Sequence, residues 1–442
     1  MNIRQAKEEI KRTVAAYLEK DEEGNYLISE RFCRPVLLMG APGIGKTAIM
    51  QQIADELGIN LVSYTITHHT RQSAIGLPVV RERDYDGKKV SVTEYTMSEI
   101  LVSVYDKIEE TKNDKGILFL DEINCVSETL LPTMLQFLQY KTFGTHKVPR
   151  SYVIVCAGNP PLYNRSAREF DMVTLDRVKK MDIEVDREVF LEYAEESRLH
   201  GAVKAFLDIR AEYFYRVRTD AEETYFVTAR GWEDLSEILF AYERNNFDIT
   251  VDTVSEYISD PEIAEAFHTY LTLYKKYHEE FAIGSILGGD LIEGSDDVRT
   301  APFDERLSLL HLLFDALSND YYTYSMDLKK QKALREEILS KKDFLSMDEL
   351  DLEKEKFESA EDMRQDRIAA AGKHTENVFS FIERTFGDGQ EMVLFLTMIG
   401  RDVYAKEYLS DIGSDAYAKH SKQLLLREQK AELDREIRLA IN

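Results

Sequence analysis

The chain is poor in cysteine, proline and positive charge, and it has no long apolar run. Three cysteines, Cys33, Cys125 and Cys156, cannot all pair, and none lies in a C-x-x-C spacing. That argues against a disulfide framework and against a cysteine zinc site. Adjacent His68 and His69 cannot share the i, i+4 face that zinc-binding helices use, so they read as loop residues. The longest apolar stretch, Met392 to Leu396 resuming at Met398 and Ile399, is broken by Thr397 and far too short to span a bilayer. The opening residues, MNIRQAKEEIKRTV, are charged and helix-like rather than a signal peptide, so the expected location is the cytoplasm. Only 56 lysines and arginines stand against 81 aspartates and glutamates, a net charge of -25. Such a chain is repelled by phosphate backbones unless it hides a local basic groove, which counts against nucleic acid as the partner. No proline follows Pro302, so nothing interrupts helical patterns in the last third.

What is present is more specific. Gly40 to Thr47 read GAPGIGKT, after the apolar run Val36 to Met39 and before a helical stretch, Ala48 to Leu57. This is the G-x-x-x-x-G-K-[ST] phosphate loop, Gly40-Ala41-Pro42-Gly43-Ile44-Gly45-Lys46-Thr47, opening a helix at Ala48. Gly40, Gly43 and Gly45 let successive N–H groups point into one concavity, and the helix adds its positive dipole end. Lys46 is suited to the β/γ-phosphates and Thr47 to a Mg²⁺ ion. A second apolar run, Gly116 to Leu120, ends in Asp121 and Glu122. Asp121 suits Mg²⁺ and Glu122 suits activation of the attacking water. Adjacent acids point to opposite faces of a strand, so the pair fits best where the strand ends and turns. A third run, Tyr152 to Gly158, ends at Asn159 before Pro160 and Pro161, which places an amide at the same carboxyl edge.

Together these motifs resemble the AAA+ ATPases, specifically the MoxR and dynein-related branch, over more than half the chain. The resemblance implies a P-loop NTPase αβα core with a parallel sheet, an all-α lid, ATP and Mg²⁺ as ligands, and ATP hydrolysis by a ring, most often a hexamer. It implies that Asn159 positions water as sensor 1. In Leu175-Asp176-Arg177 it makes Arg177 the arginine finger given to a neighbouring subunit, with Arg168 in SAREFD as the competitor. In VTARGWEDLSEIL it makes Arg230 the sensor 2 arginine. Thr228 is a credible N-cap there, and Trp232, Leu235, Ile238 and Leu239 form one apolar face. Two hairpins fit the branch's inserts, one around Asp86-Gly87 within Ile75 to Tyr95, the other turning at Gly144 between Tyr140 and Arg150. Tyr140, Phe143 and His146 of the second are expected contact residues. Relatives carry an arginine after Asn124 where this chain has Cys125, and Asn124 could cap the next helix as readily as touch nucleotide. Relatives of the MoxR type act on a protein client, often with a partner bearing a von Willebrand A domain.

The patterns divide the chain into a core over 1–185, a lid and helical extension over 186–290, and a C-terminal helical domain of unknown role over 298–442. Helical spacing begins at Phe190, Tyr193 and Ala194, continues at Val203, Phe206 and Leu207, and returns as an aromatic stripe at Phe267, Tyr270, Tyr274 and Tyr277. Gly284 to Asp297, dense in glycine and acid, is a linker candidate. Two rival readings stand beside the ATPase that remodels protein. One is a nucleic-acid motor, favoured by Arg81, Arg83, Lys88, Lys89, Lys141, Lys147 and Arg150 on the hairpins. The other is a nucleotide switch without hydrolysis, which the intact Asp121-Glu122 pair opposes.

Overall fold

The structure is a computed structural model describing residues 1–68, 76–86, 88–143, 145–164, 166–219, 223–280, 283–290, 295–341 and 347–422. His69, Gly87 and Gly144 lie outside the described residues. Contacts divide the chain into two compact units, Met1–Val189 with Thr228–Gly231, and Phe190–Val227 with Trp232–Asn442.

The first unit is built on five parallel strands. They are β1 (Val36–Gly40), β2 (Asn60–Thr65), β5 (Gly116–Asp121), β8 (Tyr152–Gly158) and β9 (Lys179–Ile183), in the order β2-β5-β8-β1-β9. Both faces are covered, as a parallel sheet requires. Strand alternation sorts the side chains: Val36, Leu38, Val153, Val155 and Ala157 join one core with α1 (Ile3–Leu18) and α2 (Ala48–Leu57). Leu37, Tyr152, Ile154 and Cys156 join the other, against α3 (Glu99–Thr111) and α4 (Leu131–Tyr140). Because β8 lies between β5 and β1, the ends of β5, β8 and β1 sit side by side at the carboxyl edge.

Both hairpins form. β3 (Pro78–Tyr85) pairs antiparallel with β4 (Lys88–Tyr95), closing at Tyr85↔Lys88, and Asp86 takes the positive φ of 52° that such a turn requires. β6 (Thr142–Phe143) pairs with β7 (His146–Lys147). One expectation is corrected. Phe143 is fully buried and stacked on Phe137, ring centroids 4.0 Å apart, so it is a core residue and not a contact residue. With only two residues in the strand, alternation turns one of them inward. Tyr140 stays 55% exposed.

The second unit is largely helical. It draws on most of α6 (Arg187–Glu196), on α7 (Gly201–Ile209), on α8 (Ala229–Asn245) from Trp232 onward, on the short α9 (Val251–Ser255) and on α10 (Pro261–Glu280), whereas the short α5 (Met172–Leu175) belongs to the first unit. Phe206 sits among Tyr213, Trp232, Phe267 and Tyr270 at centroid distances of 5.3–5.9 Å, so the aromatic stripe faces the core. A short hairpin, β10 (Arg216–Thr219) with β11 (Thr224–Val227), also occurs in this region, where Tyr225, Phe226 and Val227 favour strand over helix. The stretch read as a linker candidate is helical at α11 (Ile283–Gly288) and α12 (Ser295–Thr300). Ile283 and Ile286 are buried, and Asn377 Nδ2 donates to the Leu287 carbonyl at 2.7 Å, which packs α11 on α14 (Met347–Phe386). α13 (Phe303–Lys341), α15 (Gln390–Arg401) and α16 (Val403–Asp411) complete the unit. Lys204, 7% exposed, is held by Glu195 at 2.8 Å and Asp315 at 2.9 Å, fastening α7 to α6 and α13. Among the described residues no helix is long and apolar enough to cross a membrane.

Phe206→Ala is expected to cost about 3–5 kcal/mol, the usual loss for an aromatic deleted from a packed core. The measurement is the urea midpoint followed by emission of Trp232, the chain's single tryptophan and a direct neighbour of Phe206. An unchanged midpoint would mean the ring cluster contributes little.

Candidate nucleotide site

Lys46, Thr47, Asp121, Glu122 and Asn159 are brought together by the sheet order. β1 delivers the loop, β5 the acids, and β8 between them the amide. Lys46 Nζ donates to the carbonyls of Gly40 at 3.0 Å and Ala41 at 2.7 Å, and to Asn159 Oδ1 at 2.8 Å. Thr47 Oγ1 donates to Asp121 Oδ2 at 2.9 Å, so two hard oxygen donors of the kind Mg²⁺ takes lie side by side. Asp121 Oδ1 accepts from the Glu122 amide at 2.8 Å. β5 ends at Asp121, and Glu122 takes a φ of 55°, a left-handed conformation rare for glutamate. That turn separates the two carboxylates, as adjacent acids at a strand end require. Glu122 Oε2 in turn accepts from Thr67 Oγ1 at 3.0 Å.

The glycines answer to space as well as to backbone freedom. Gly45, at φ +90°, faces open space, with nothing within 4 Å of where a Cβ would stand. Gly43, at φ +70°, is different: a Cβ there would lie 2.8 Å from Thr228. The loop therefore touches the start of α8, where the Arg230 amide donates to the Gly43 carbonyl at 3.1 Å and Thr228 Oγ1 caps the Gly231 amide at 3.2 Å. Arg230 is exposed on this first turn, and its charge reaches Lys46.

Lys46 is buried, and its partners within hydrogen-bond distance are neutral oxygens. Burial pulls its ammonium down to about 8; Asp121 opposes this, and Arg230 adds to it. A polyphosphate would supply the missing negative charge.

Asn124 is not the cap of the next long helix, α4, a position that Leu130 takes. Asn124 is fully buried, and its Nδ2 donates to the carbonyls of Asn159 at 2.8 Å and Arg168 at 3.2 Å. Its carbonyl accepts from the Arg168 amide at 2.9 Å, so it braces Asn159 from behind. A Cβ on Gly158 would lie 2.5 Å from Asn124 Oδ1, which keeps that position glycine. Spacing gives no sign of this strut, nor of Thr67. Cys125 is half-buried and meets Asn164 Nδ2 at 3.2 Å. The two candidate fingers differ. Arg168 pairs with Glu128 at 2.8 Å within its own chain. Arg177 follows α5, is partly exposed, and its charge helps hold Asp171 below the usual carboxylate range, after the Thr174 hydroxyl and amide. Neither arginine has a hydrogen bond or ion pair to the phosphate loop, Asp121 or Asn159 among the described residues.

Residues 35–178 match the family model described as the AAA domain, dynein-related subfamily. That segment is under half of the chain, and the match supports an AAA+ ATPase within it. The sheet and flanking helices have the P-loop NTPase arrangement. Among solved structures, a point mutant of RuvB from Thermotoga maritima aligns at 15% identity and a TM-score of 0.33, covering 62% of this chain and 78% of that one. No curated protein matches the chain.

The shift of Lys46 gives a pH prediction. In the nucleotide-free protein the folded state binds this proton less tightly than the unfolded chain, so stability rises as pH climbs through about 8 towards 10.5. Lys46→Met should remove that slope and stabilise the nucleotide-free protein below pH 8, by an order-of-magnitude figure of about 3 kcal/mol. Urea titrations of both proteins between pH 7 and 9.5 test it; parallel curves would refute it.

Proposed function

We propose that the chain is a Mg²⁺-dependent AAA+ ATPase of the MoxR-like kind. It works in the cytoplasm as a ring, most simply a hexamer, and remodels or matures a protein client, with a von Willebrand A domain protein as the expected type of partner. The observation that carries the reading is the convergence of Lys46, Thr47–Asp121, Glu122 and Asn159 at one sheet edge. Open space at Gly45, the adjacent oxygens of Thr47 and Asp121, and the buried ammonium all fit ATP and its metal.

Gly40 to Ala48 hold the polyphosphate by amide N–H groups and by Lys46. Thr47 and Asp121 hold Mg²⁺, which supplies Lewis-acid neutralisation of phosphate charge when bound. Glu122 orients and deprotonates the attacking water, and Asn159, braced by Asn124, fixes that water's direction. Arg230 stabilises charge in cis. Arg177, without a bond to its own site, is the finger offered to a neighbour, whereas Arg168 is engaged with Glu128. In this reading 1–185 is the motor core, 186–290 the lid, and 298–442 a helical domain added for the client or its adaptor.

The nucleic-acid motor is less well supported. Arg81 and Arg83 share Glu94, at 3.7 and 2.5 Å, and Lys147 pairs with Glu30 at 2.6 Å. DNA and RNA are expected neither to bind at moderate salt nor to stimulate turnover. A steeply salt-dependent affinity would favour the motor instead.

Glu122→Gln should abolish hydrolysis and retain ATP, measured by phosphate release and by binding of labelled ATP. Arg177→Ala should also be inactive alone. Mixing the two variants should restore turnover, because an intact Glu122 then meets a neighbour's Arg177. Failure of the mixture, with both variants assembled, would remove Arg177 from the role; full turnover by Glu122→Gln would remove the mechanism.

A further inference from the structure

In the second unit, three donor side chains from separate segments converge outside any machinery described above. Glu383 comes from the last turn of α14, Asp388 from the turn after it, and His420 from the helical stretch 415–422. Gly387, at φ +70°, lets the chain fold back so that Asp388 meets His420. One donor atom from each residue lies within 4.8 Å of the other two. His420 is only 2% exposed, and its ring lies parallel to Phe379 at 5.7 Å, which fixes the imidazole plane. Its Nδ1 makes no hydrogen bond, although an Asp388 carboxylate oxygen is 3.1 Å away. Its Nε2 is 3.6 Å from Glu383. A buried ring nitrogen without a hydrogen-bond partner is costly, and a cation bound to it would remove that cost.

We propose that Glu383, Asp388 and His420 form a binding site for a divalent transition metal ion of the zinc class. One imidazole nitrogen with two carboxylates suits zinc or manganese, whereas an all-oxygen set would be expected for calcium or magnesium. Three protein ligands leave the remaining position to water. Zinc bonds of about 2.0–2.2 Å require donor atoms roughly 3.4 Å apart, so the carboxylates must close slightly on the fixed ring. Glu383 and Asp388 are only partly buried. The ion would tie the 415–422 helix to the end of α14, a structural clip and not a catalytic centre.

One cation already competes. Lys419 Nζ lies 2.7 and 2.9 Å from the two oxygens of Glu383, and this contact holds the Glu383 carboxyl below its ordinary range. Lys419 is half-exposed and can swing into water, giving up a contact of the weak surface kind.

The test uses the full chain, stripped with a chelator and free of nucleotide, then equilibrated with zinc at low micromolar free concentration. Bound metal is counted by elemental analysis, and thermal melting is recorded alongside. The expected result is one zinc bound per chain at this site and a melting temperature that rises with zinc concentration. His420→Gln should lose that equivalent and the thermal shift, while Asp121→Asn keeps both, which separates this site from the nucleotide site. Lys419→Ala should tighten zinc binding by up to about fivefold, the worth of one exposed ion pair. If His420→Gln misfolds by circular dichroism, Glu383→Gln takes its place. No zinc uptake by the folded parent would overturn the proposal. Unchanged uptake in the ligand variants would overturn it equally.

Discussion

A positive charge enclosed among neutral oxygens is the constraint around which the nucleotide-binding unit is arranged. Lys46 carries its ammonium into a site where the Gly40 and Ala41 carbonyls and the Asn159 amide oxygen are its near partners. That cradle exists only because β8 lies next to β1, bringing a residue more than a hundred positions away to the loop. It also requires β1 to press on β9, since a Cβ at Gly40 would lie 2.8 Å from the Ile183 carbonyl. The register of three strands thus sets the depth of one ammonium. Burial at that depth lowers its affinity for a proton, against the pull of Asp121.

Around that cation the supporting contacts are backbone-directed. Asn124 grips the carbonyls of Asn159 and Arg168, so the side chain of Asn159 is free to face the loop while its backbone is fixed. Thr47 and Asp121 join β1's loop to β5, and Thr67 reaches Glu122 from beyond β2. Thr228 packs on Gly43 and the Arg230 amide bonds to its carbonyl, so the first turn of α8 belongs to the site through the backbone, whatever its guanidinium does. Such bracing is what keeps reacting groups within a fraction of an ångström of their working positions.

The parts legible in the sequence were those with local grammar. A glycine loop between strand and helix, acids ending an apolar run, and an amide before two prolines each announce themselves within about ten residues, and each stands at the expected sheet edge. Phe143 was misread because a two-residue strand carries too little pattern to say which face is inward; its stacking on Phe137 decides it. The hairpin Arg216–Thr219 with Thr224–Val227 was hidden among helical spacings. Asn124, Thr67 and the Gly43–Thr228 contact were illegible for another reason: each is a pairing across dozens of residues or more, with no local signature. The meeting of Glu383, Asp388 and His420 is of the same kind, since two of its members come from around one helix end and the third from a later segment.

Charge shows why a chain-wide balance is a poor guide to partners. A net charge of -25 leaves room for a basic hairpin, and the sequence offers one. Yet Arg81 and Arg83 converge on Glu94, and near the second hairpin Arg150 donates to the Ile28 carbonyl and stacks over Tyr26 at 4.4 Å. The exposed pairs on Glu94 add little stability, about 0–1 kcal/mol each, but they weaken the local field a phosphate backbone would feel. The long hairpin also presents apolar side chains. Every residue of Pro78–Tyr85 is exposed, Val80 by 70%, and Val90 across the hairpin by 45%. A two-stranded ribbon has no core to bury such side chains, and two strands alone are marginal in water. Uncovered valines beside paired charges are a surface of the kind that protein interfaces bury.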